Sequence, residues 1–212
     1  MKLRIYTDGA CSGNQNENNI GGWGCVLEFA GREKELCGGE IDTTNNRMEL
    51  TALLEAFRAL NREGLDIEIC SDSSYLVNCF RNRWYVSWEK NGWKNSKKQP
   101  VENRELWEQL LAEYRKHRAD FVLIKGHIDP DSPREKLEKE YARFVKNNGE
   151  RPFEEFVSLL RYNNRCDALA NVFIKEHRAE EPKVMTCAVV LKSVNINCCL
   201  ISSISLGGRA EN

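Results

Sequence analysis

Four acidic residues of this chain stand at the boundaries of predicted strands and helices, where an α/β fold can bring distant side chains together. Asp8 follows the β-rich run 3–7 and precedes Gly9, so we expect it to end a strand. Asp72 follows the apolar alternation of residues 65–69 and should emerge at the carboxyl end of another strand. Open parallel or mixed sheets bind ligands at that edge, so the two aspartates are candidates for one site.

The other two acidic residues, Glu49 and Asp167, are predicted to lie in the first turns of helices. Glu49 begins the amphipathic segment 48–60, and Asp167 follows the polar residues 163–165. Both also have a purely structural interpretation. Asn46 as N-cap with Glu49 three positions later would form a capping box, and an acidic side chain at position 167 would oppose the helix dipole.

Gathered carboxylates predict a particular chemistry. Carboxylates brought to one point repel each other and take up protons unless a hard cation such as Mg²⁺ neutralises them. Two such cations, roughly 3.5 to 4 Å apart, can activate a water on one side of a phosphodiester and stabilise the leaving oxygen on the other. A site of this kind needs no side-chain nucleophile.

Five short segments occur in the order and context typical of one enzyme family. They are Tyr6-Thr7-Asp8-Gly9, Thr44-Asn45-Asn46-Arg47-Met48-Glu49-Leu50, Ser71-Asp72-Ser73, Gly126-His127 and Asn164-Arg165-Cys166-Asp167. With the strands and helices predicted between them, the chain resembles type I ribonuclease H over about residues 1–177. The resemblance implies an α/β, ribonuclease-H-like fold with a five-stranded mixed sheet flanked by helices, forming a catalytic domain over residues 1–178.

The same resemblance implies a function and a role for each acidic residue. Such enzymes hydrolyse the RNA strand of RNA/DNA hybrids as endonucleases and leave 5′-phosphate and 3′-hydroxyl ends. Asp8 would bridge two Mg²⁺ ions, with Mn²⁺ as an alternative metal. Asp167 would help hold the ion that activates water, and Glu49 with Asp72 would hold the other. His127 matches a loop histidine proposed to assist proton movement and product departure.

A basic segment over residues 81–98 is a candidate substrate-binding protrusion. It contains six basic residues and one acidic residue in a chain whose net charge is −1. Interleaved aromatic side chains could lie against sugars or bases while the cations contact phosphates. By resemblance, Trp84, Trp88 and Lys90 match a protrusion found in some type I ribonucleases H. The structural alternative is an amphipathic helix in which Trp84 and Trp88 pack inward.

Further substrate contacts are predicted only by resemblance. Discrimination of RNA from DNA must use the 2′-hydroxyl group. Asn14 and Asn45 would read the minor groove of the hybrid, with Cys11 nearby. Thr44 and Asn103 would grip a phosphate of the DNA strand.

Two positions depart from the family pattern. Ser74, also a predicted contact, stands where many relatives have a longer amide, and Asp42 stands where a basic residue often supports the phosphate grip. The affinity for substrate or the preference for sequence context should therefore differ from that of relatives.

Residues 129–162 are a larger departure, because relatives usually have a short loop before the last catalytic aspartate. Ser132 to Glu135 reads as a capping box with Pro133 at N1, and apolar positions follow at helical spacing. A second apolar stripe runs over 153–160, which predicts two added helices. One interpretation is a local scaffold; our hypothesis is that the insertion restrains the loop carrying His127.

The length of 212 residues and the hydrophobic fraction of 41% fit one domain followed by a tail, 179–212, to which no role is assigned. The sequence begins at the first strand without a signal-peptide pattern, so a cytoplasmic enzyme is expected. We also expect a monomer that does not contact a membrane. Nine cysteines lack a CxxC pair or zinc-site spacing. Cys25, Cys70 and Cys166 are predicted to pack as small buried thiols.

Two alternatives of different classes stay open at this level. A related enzyme could act on another nucleic-acid duplex, or the chain could be a hybrid-binding module without turnover. The binding module would need Asn14, Asn45 and the basic segment, but not all four carboxylates, so the intact set favours an enzyme.

Overall fold

The computed structural model describes residues 2–12 and 19–178 and shows five strands and six helices. The strands are β1 (Leu3–Ser12), β2 (Ile20–Phe29), β3 (Arg32–Ile41), β4 (Asp66–Ser71) and β5 (Arg118–Leu123). The helices are α1 (Asn45–Arg58), α2 (Ser74–Arg81), α3 (Trp84–Lys90), α4 (Arg104–Tyr114), α5 (Arg134–Asn148) and α6 (Phe153–Arg178). Asn14 and the tail 179–212 lie outside the described residues.

The predicted five-stranded mixed sheet is confirmed, and its strand order is β3-β2-β1-β4-β5. The β1–β2 and β2–β3 pairs are antiparallel, while β1–β4 and β4–β5 are parallel. The prediction that Asp8 ends a strand is wrong, because β1 continues along β2 as far as Ser12. The parallel β1–β4 ladder, however, stops at the Thr7–Ser71 pair. Asp8 and Asp72 therefore both follow the last parallel pair, so they come together at that edge.

Two hydrophobic cores cover the sheet. One is built largely by α1, α2 and α4 and includes the buried Trp107, together with Cys25. The other packs α5 and α6 against apolar side chains of β1, β2, β4 and β5, and it includes Cys70 and Cys166. The three cysteines are buried as predicted. The segment 129–162, predicted to be an insertion, therefore supplies part of one of the two cores.

The inserted residues depart from the predicted pair of separate helices. Helix α5 matches the first, although Pro133 is its N-cap rather than its first helical residue. The second continues without a break into the helix carrying Asp167, so the prediction of a first-turn position for Asp167 is wrong. Asn164 lies within α6 rather than at its start, and its side-chain amide donates to the Ile128 carbonyl at 3.0 Å.

A partly buried ion-pair network ties the insertion to the sheet. The Glu68 carboxylate in β4 accepts from Arg151, between α5 and α6, at 2.8 Å and from Arg4 in β1 at 3.0 Å. Arg151 also contacts Glu155 at 3.1 Å. Burial raises the pKa of Glu68, but the hydrogen bonds and charges of the two arginines outweigh burial and leave that pKa below its usual value.

Because the folded-state pKa of Glu68 is lowered, its contribution to stability is present above about pH 4.5 and is lost as the pH falls through the folded-state value. We expect Glu68→Gln to lower the free energy of unfolding at pH 7 by about 1–3 kcal/mol, since both arginines are partly solvated and can rehydrate. Urea unfolding at pH 7 and pH 3.5 should show a smaller difference between wild type and variant at the lower pH. An equal difference at both pH values would contradict this account.

No helix within residues 2–12 and 19–178 combines the length and apolar character needed to cross a membrane.

Candidate active site

The four predicted carboxylates and His127 line one open cavity of about 520 Å³ at the edge of the sheet where β1 and β4 part. Cys11 and Asn45, predicted as substrate contacts, line it as well. Residues from five different segments of the chain therefore meet at one point. The cavity is lined by Asp8, Gly9, Ala10, Cys11, Asn45, Glu49, Asp72, His127, Asp167 and Asn171.

Asp8 lies at the centre of this group and is almost fully buried. Its carboxylate accepts a hydrogen bond from the backbone N–H of Gly9 at 2.7 Å. Burial, followed by the negative charges of Asp72 and Asp167, raises the pKa of Asp8 to about 8. A carboxylate crowded in this way is stabilised as an anion only if positive charge reaches it.

Glu49 reaches Asp8 because α1 lies unusually close to β1. A Cβ atom on Gly9 would lie 2.4 Å from the backbone nitrogen of Glu49, so only glycine permits this approach. The Glu49 carboxylate accepts from the Asn45 amide at 2.8 Å and from the Ser73 hydroxyl. Burial dominates and raises the pKa of Glu49 to about 7, with the Ser73 hydrogen bond acting in the opposite direction.

The capping-box interpretation of Glu49 is wrong. Thr44, rather than Asn46, is the N-cap of α1, and its hydroxyl accepts from the Arg47 N–H at 3.3 Å. Glu49 is consequently one turn inside the helix, where its side chain points into the cavity. The local pattern suggested a cap, but the tertiary packing assigns the carboxylate to the site.

Asp72 follows β4 and is held between two neighbours from other elements. A Cβ atom on Gly126 would lie 2.0 Å from an Asp72 carboxylate oxygen, and the Asn163 amide lies 3.5 Å from the same oxygen. Burial raises the pKa of Asp72, while Asn163 lowers it. Asn163 is buried, and its carbonyl oxygen has no partner among the described residues.

Asn163 and Asn171 are site residues that the sequence analysis missed. Asn163 was interpreted only as part of a helix start, yet it interrupts the buried stripe that continues through Cys166 and Ala170 of α6. A polar residue inside an apolar stripe was the signal that could have identified it. Asn171 lies one turn after Asp167 and donates to its carboxylate at 3.1 Å.

His127 lies in the loop after β5 with a left-handed backbone, φ 57°, and its side chain is exposed at the cavity. The following residue, Ile128, is buried in the core that the insertion helps to form. Asn164 of α6 also binds the Ile128 carbonyl. Ile128 thus ties the His127 loop to this core, and the restraint of that loop by the insertion stays a prediction.

The donor set suits a hard cation. Within residues 2–12 and 19–178, no three His, Cys, Asp or Glu side chains already stand in a group that could hold one metal ion. Mg²⁺, however, keeps several waters and typically takes only one or two protein carboxylates together with substrate phosphates. Asp8, Glu49 and Asp72 offer carboxylate oxygens, and burial raises the pKa of each. These side chains fit such an ion, whose remaining coordination positions substrate would fill.

The basic segment divides into packed and exposed residues. Trp84 is 38% exposed, whereas Trp88 is only 8% exposed and packs against Trp93 and Trp107. Packing is therefore the correct interpretation for Trp88, whose rings are not free to stack on bases. Arg81 is also held by the fold, since its guanidinium donates to the Phe121 carbonyl at 2.7 Å.

Thr44 and Asn103 are brought together as two neighbouring helix N-caps, those of α1 and α4. Arg47 joins the two helix starts, pairing with Glu105 of α4 and with Glu40 of β3. Exposed N–H groups at helix starts are favourable positions for phosphate. Ser74 is exposed and is the first residue of α2, two positions after Asp72.

Comparisons with known proteins decide the family. The RNase H family model matches residues 1–135, which is more than half of the chain. The chain belongs to the ribonuclease H family. It is accordingly a nuclease and a hydrolase. The family model ends at the start of α5, so Asp167 lies beyond the match.

Individual relatives of this ribonuclease H extend further along the chain. The ribonuclease H of Moorella thermoacetica is 42% identical over 180 residues, covering 85% of this chain and 96% of the relative. The crystal structure of LC9-RNase H1, a type 1 RNase H with the type 2 active-site motif, is 26% identical with a TM-score of 0.54, covering 74% of this chain and 80% of that one. LC11-RNase H1, solved with an RNA/DNA hybrid, shares the fold at 21% identity and a TM-score of 0.51, covering 84% and 100%.

Proposed function

We propose that this ribonuclease H is an endonuclease that hydrolyses the RNA strand of RNA/DNA hybrids by two-metal-ion catalysis, leaving 5′-phosphate and 3′-hydroxyl ends. The observation that carries the proposal is the meeting of Asp8, Glu49, Asp72 and Asp167 in one cavity. The name shared by sequence relatives and the hybrid bound to the LC11 enzyme support the substrate.

In this proposal the four carboxylates hold two Mg²⁺ ions, and Mn²⁺ could replace them. When bound, the ions would activate a water and stabilise the leaving oxygen. Asp8 is central to the group and would be shared, with Asp167 on one side and Glu49 with Asp72 on the other. Asn45, Asn163 and Asn171 orient carboxylates through their amides. His127, exposed at the rim, would move a proton as product leaves.

The other predicted residues would bind the duplex. Thr44 and Asn103 would hold a DNA-strand phosphate at the paired helix starts. Asn14, Asn45 and Cys11 would lie along the minor groove, and Ser74 would contact the duplex near Asp72. Trp84 and Lys90 of the protrusion would contact the duplex beyond the site, with Trp88 supporting them from the core.

The test is a panel of 5′-labelled substrates in Mg²⁺: an RNA/DNA hybrid, single-stranded RNA, double-stranded RNA and double-stranded DNA of one sequence. We expect internal cleavage of the hybrid alone, with mass spectrometry showing 5′-phosphate and 3′-hydroxyl ends. Efficient cutting of a homoduplex would assign another substrate class. Tight hybrid binding without cutting in Mg²⁺ or Mn²⁺ would instead indicate a binding module.

A further inference from the structure

A second cavity of about 300 Å³ adjoins the active site and shares Asp72 with it. Its walls are the residues that follow β5 on one side and helix α5 of the insertion on the other. Ser74 lies at its edge, next to the start of α2. The cavity is therefore formed only because α5 packs beside the strand that leads to His127.

Two cations stand over this cavity. Lys125 and Arg143 are 59% and 68% exposed, while Glu140, with which both pair, is only 13% exposed. The Lys125 amine lies 3.3 Å from both Glu140 oxygens, and the Arg143 guanidinium donates to one of them at 2.8 Å. One carboxylate thus holds two solvated cations in place and neutralises only one of their charges.

The fold does not need this arrangement for stability. Ion pairs made by solvated cations contribute little to stability, so neither cation is required to hold α5, which is anchored by Phe144 and Leu137 in the core. A lysine amine and an arginine guanidinium that converge beside a nuclease site are suited to a phosphate group.

We propose that Lys125 and Arg143 bind a phosphate of the RNA strand adjacent to the scissile linkage, in the cavity between α5 and the residues after β5. This inference rests on the proposed function, which places the scissile linkage at the four carboxylates. The RNA strand is favoured because the cavity shares Asp72 with the catalytic group, whereas the helix starts at Thr44 and Asn103 are on α1 and α4. Glu140 pairs with both cations when no substrate is bound, and a phosphate of the RNA strand would replace it.

The test measures binding without cleavage, in an Asp8→Asn background with a fluorescent hybrid. We expect Lys125→Gln and Arg143→Gln each to weaken hybrid binding about 3- to 10-fold and to reduce the slope of log K against log salt by about 1. Lys139→Gln is the matched control, because Lys139 is an exposed cation on the same helix outside the cavity. Glu140→Gln should act in the opposite direction, giving tighter binding, because it frees both cations.

Methylphosphonate substitution then locates the contact, since it removes the charge of one phosphate at a time. When the substitution is at an RNA-strand linkage next to the cleaved bond, the hybrid should bind with equal affinity to the protein with an intact cavity and to the Lys125→Gln variant. The proposal would be overturned if this affinity difference disappeared only with a substitution in the DNA strand. It would also be overturned if Lys125→Gln and Arg143→Gln bound the hybrid as Lys139→Gln does. Cleavage of the hybrid is measured separately with the enzyme in which Asp8 is intact. Failure of the phosphate-binding proposal is therefore distinguishable from failure of the proposed function.

Discussion

Asp8→Asn is expected to abolish Mg²⁺-dependent cleavage of an RNA/DNA hybrid, lowering kcat by at least about a thousandfold. Asparagine keeps the size of the side chain but removes the charge from the most central of the four carboxylates. In the proposed mechanism Asp8 is the ligand that both ions would share, and the negative charges of Asp72 and Asp167 act on it directly. Single-turnover cleavage of a labelled hybrid, with and without EDTA, measures the effect.

Folding of this variant is checked independently. Because crowding raises the pKa of Asp8 to about 8, its ionised form is disfavoured in the folded chain. Asp8→Asn should therefore unfold at the same temperature as wild type or higher at pH 9 without divalent cations. Asp120→Asn, the same exchange at an exposed position of β5, should keep full activity. Substantial cleavage by Asp8→Asn would remove the proposed metal ligand from the mechanism.

Phe156→Ala is expected to lower the free energy of unfolding by about 3–5 kcal/mol. Phe156 is almost completely buried in α6, and its ring lies 5.1 Å from that of Phe144 and 5.6 Å from that of Tyr141, both in α5. Truncation would leave a cavity where the insertion packs against the sheet. Urea unfolding followed by circular dichroism should show the loss in one cooperative transition.

Val157→Ala provides the matched comparison, because Val157 is the next residue in the helix and is only partly buried. Val157→Ala should lower the free energy of unfolding by no more than about 1 kcal/mol. If Phe156→Ala costs as little as Val157→Ala, the insertion does not contribute to the second core as described. A separate early transition in Phe156→Ala would instead mean that the insertion unfolds independently of the sheet.

Sequence periodicity predicted individual strands and helices, and the family resemblance implied the fold class. Residues 3–7 and 65–69 have the apolar patterns of strands, and they lie in or next to β1 and β4. Apolar residues over 48–60 recur at helical spacing, and most of that range lies in α1. Such patterns depend on near neighbours along the chain, so they are readable without the fold. The segments that carried the family resemblance are also short and local, so they could be recognised in the sequence. In the structure they lie in or beside the active-site cavity.

Long-range packing decided what the local patterns could not. Whether Glu49 caps its helix or enters the site depends on Gly9 of another element, and whether Trp88 is exposed depends on Trp107 of α4. Asp167 lies deep inside α6, and the Asn163 and Asn164 amides bond to Asp72 and to the Ile128 carbonyl rather than capping a helix start. A polar side chain has several possible hydrogen-bond partners of similar energy, and only the tertiary structure selects among them.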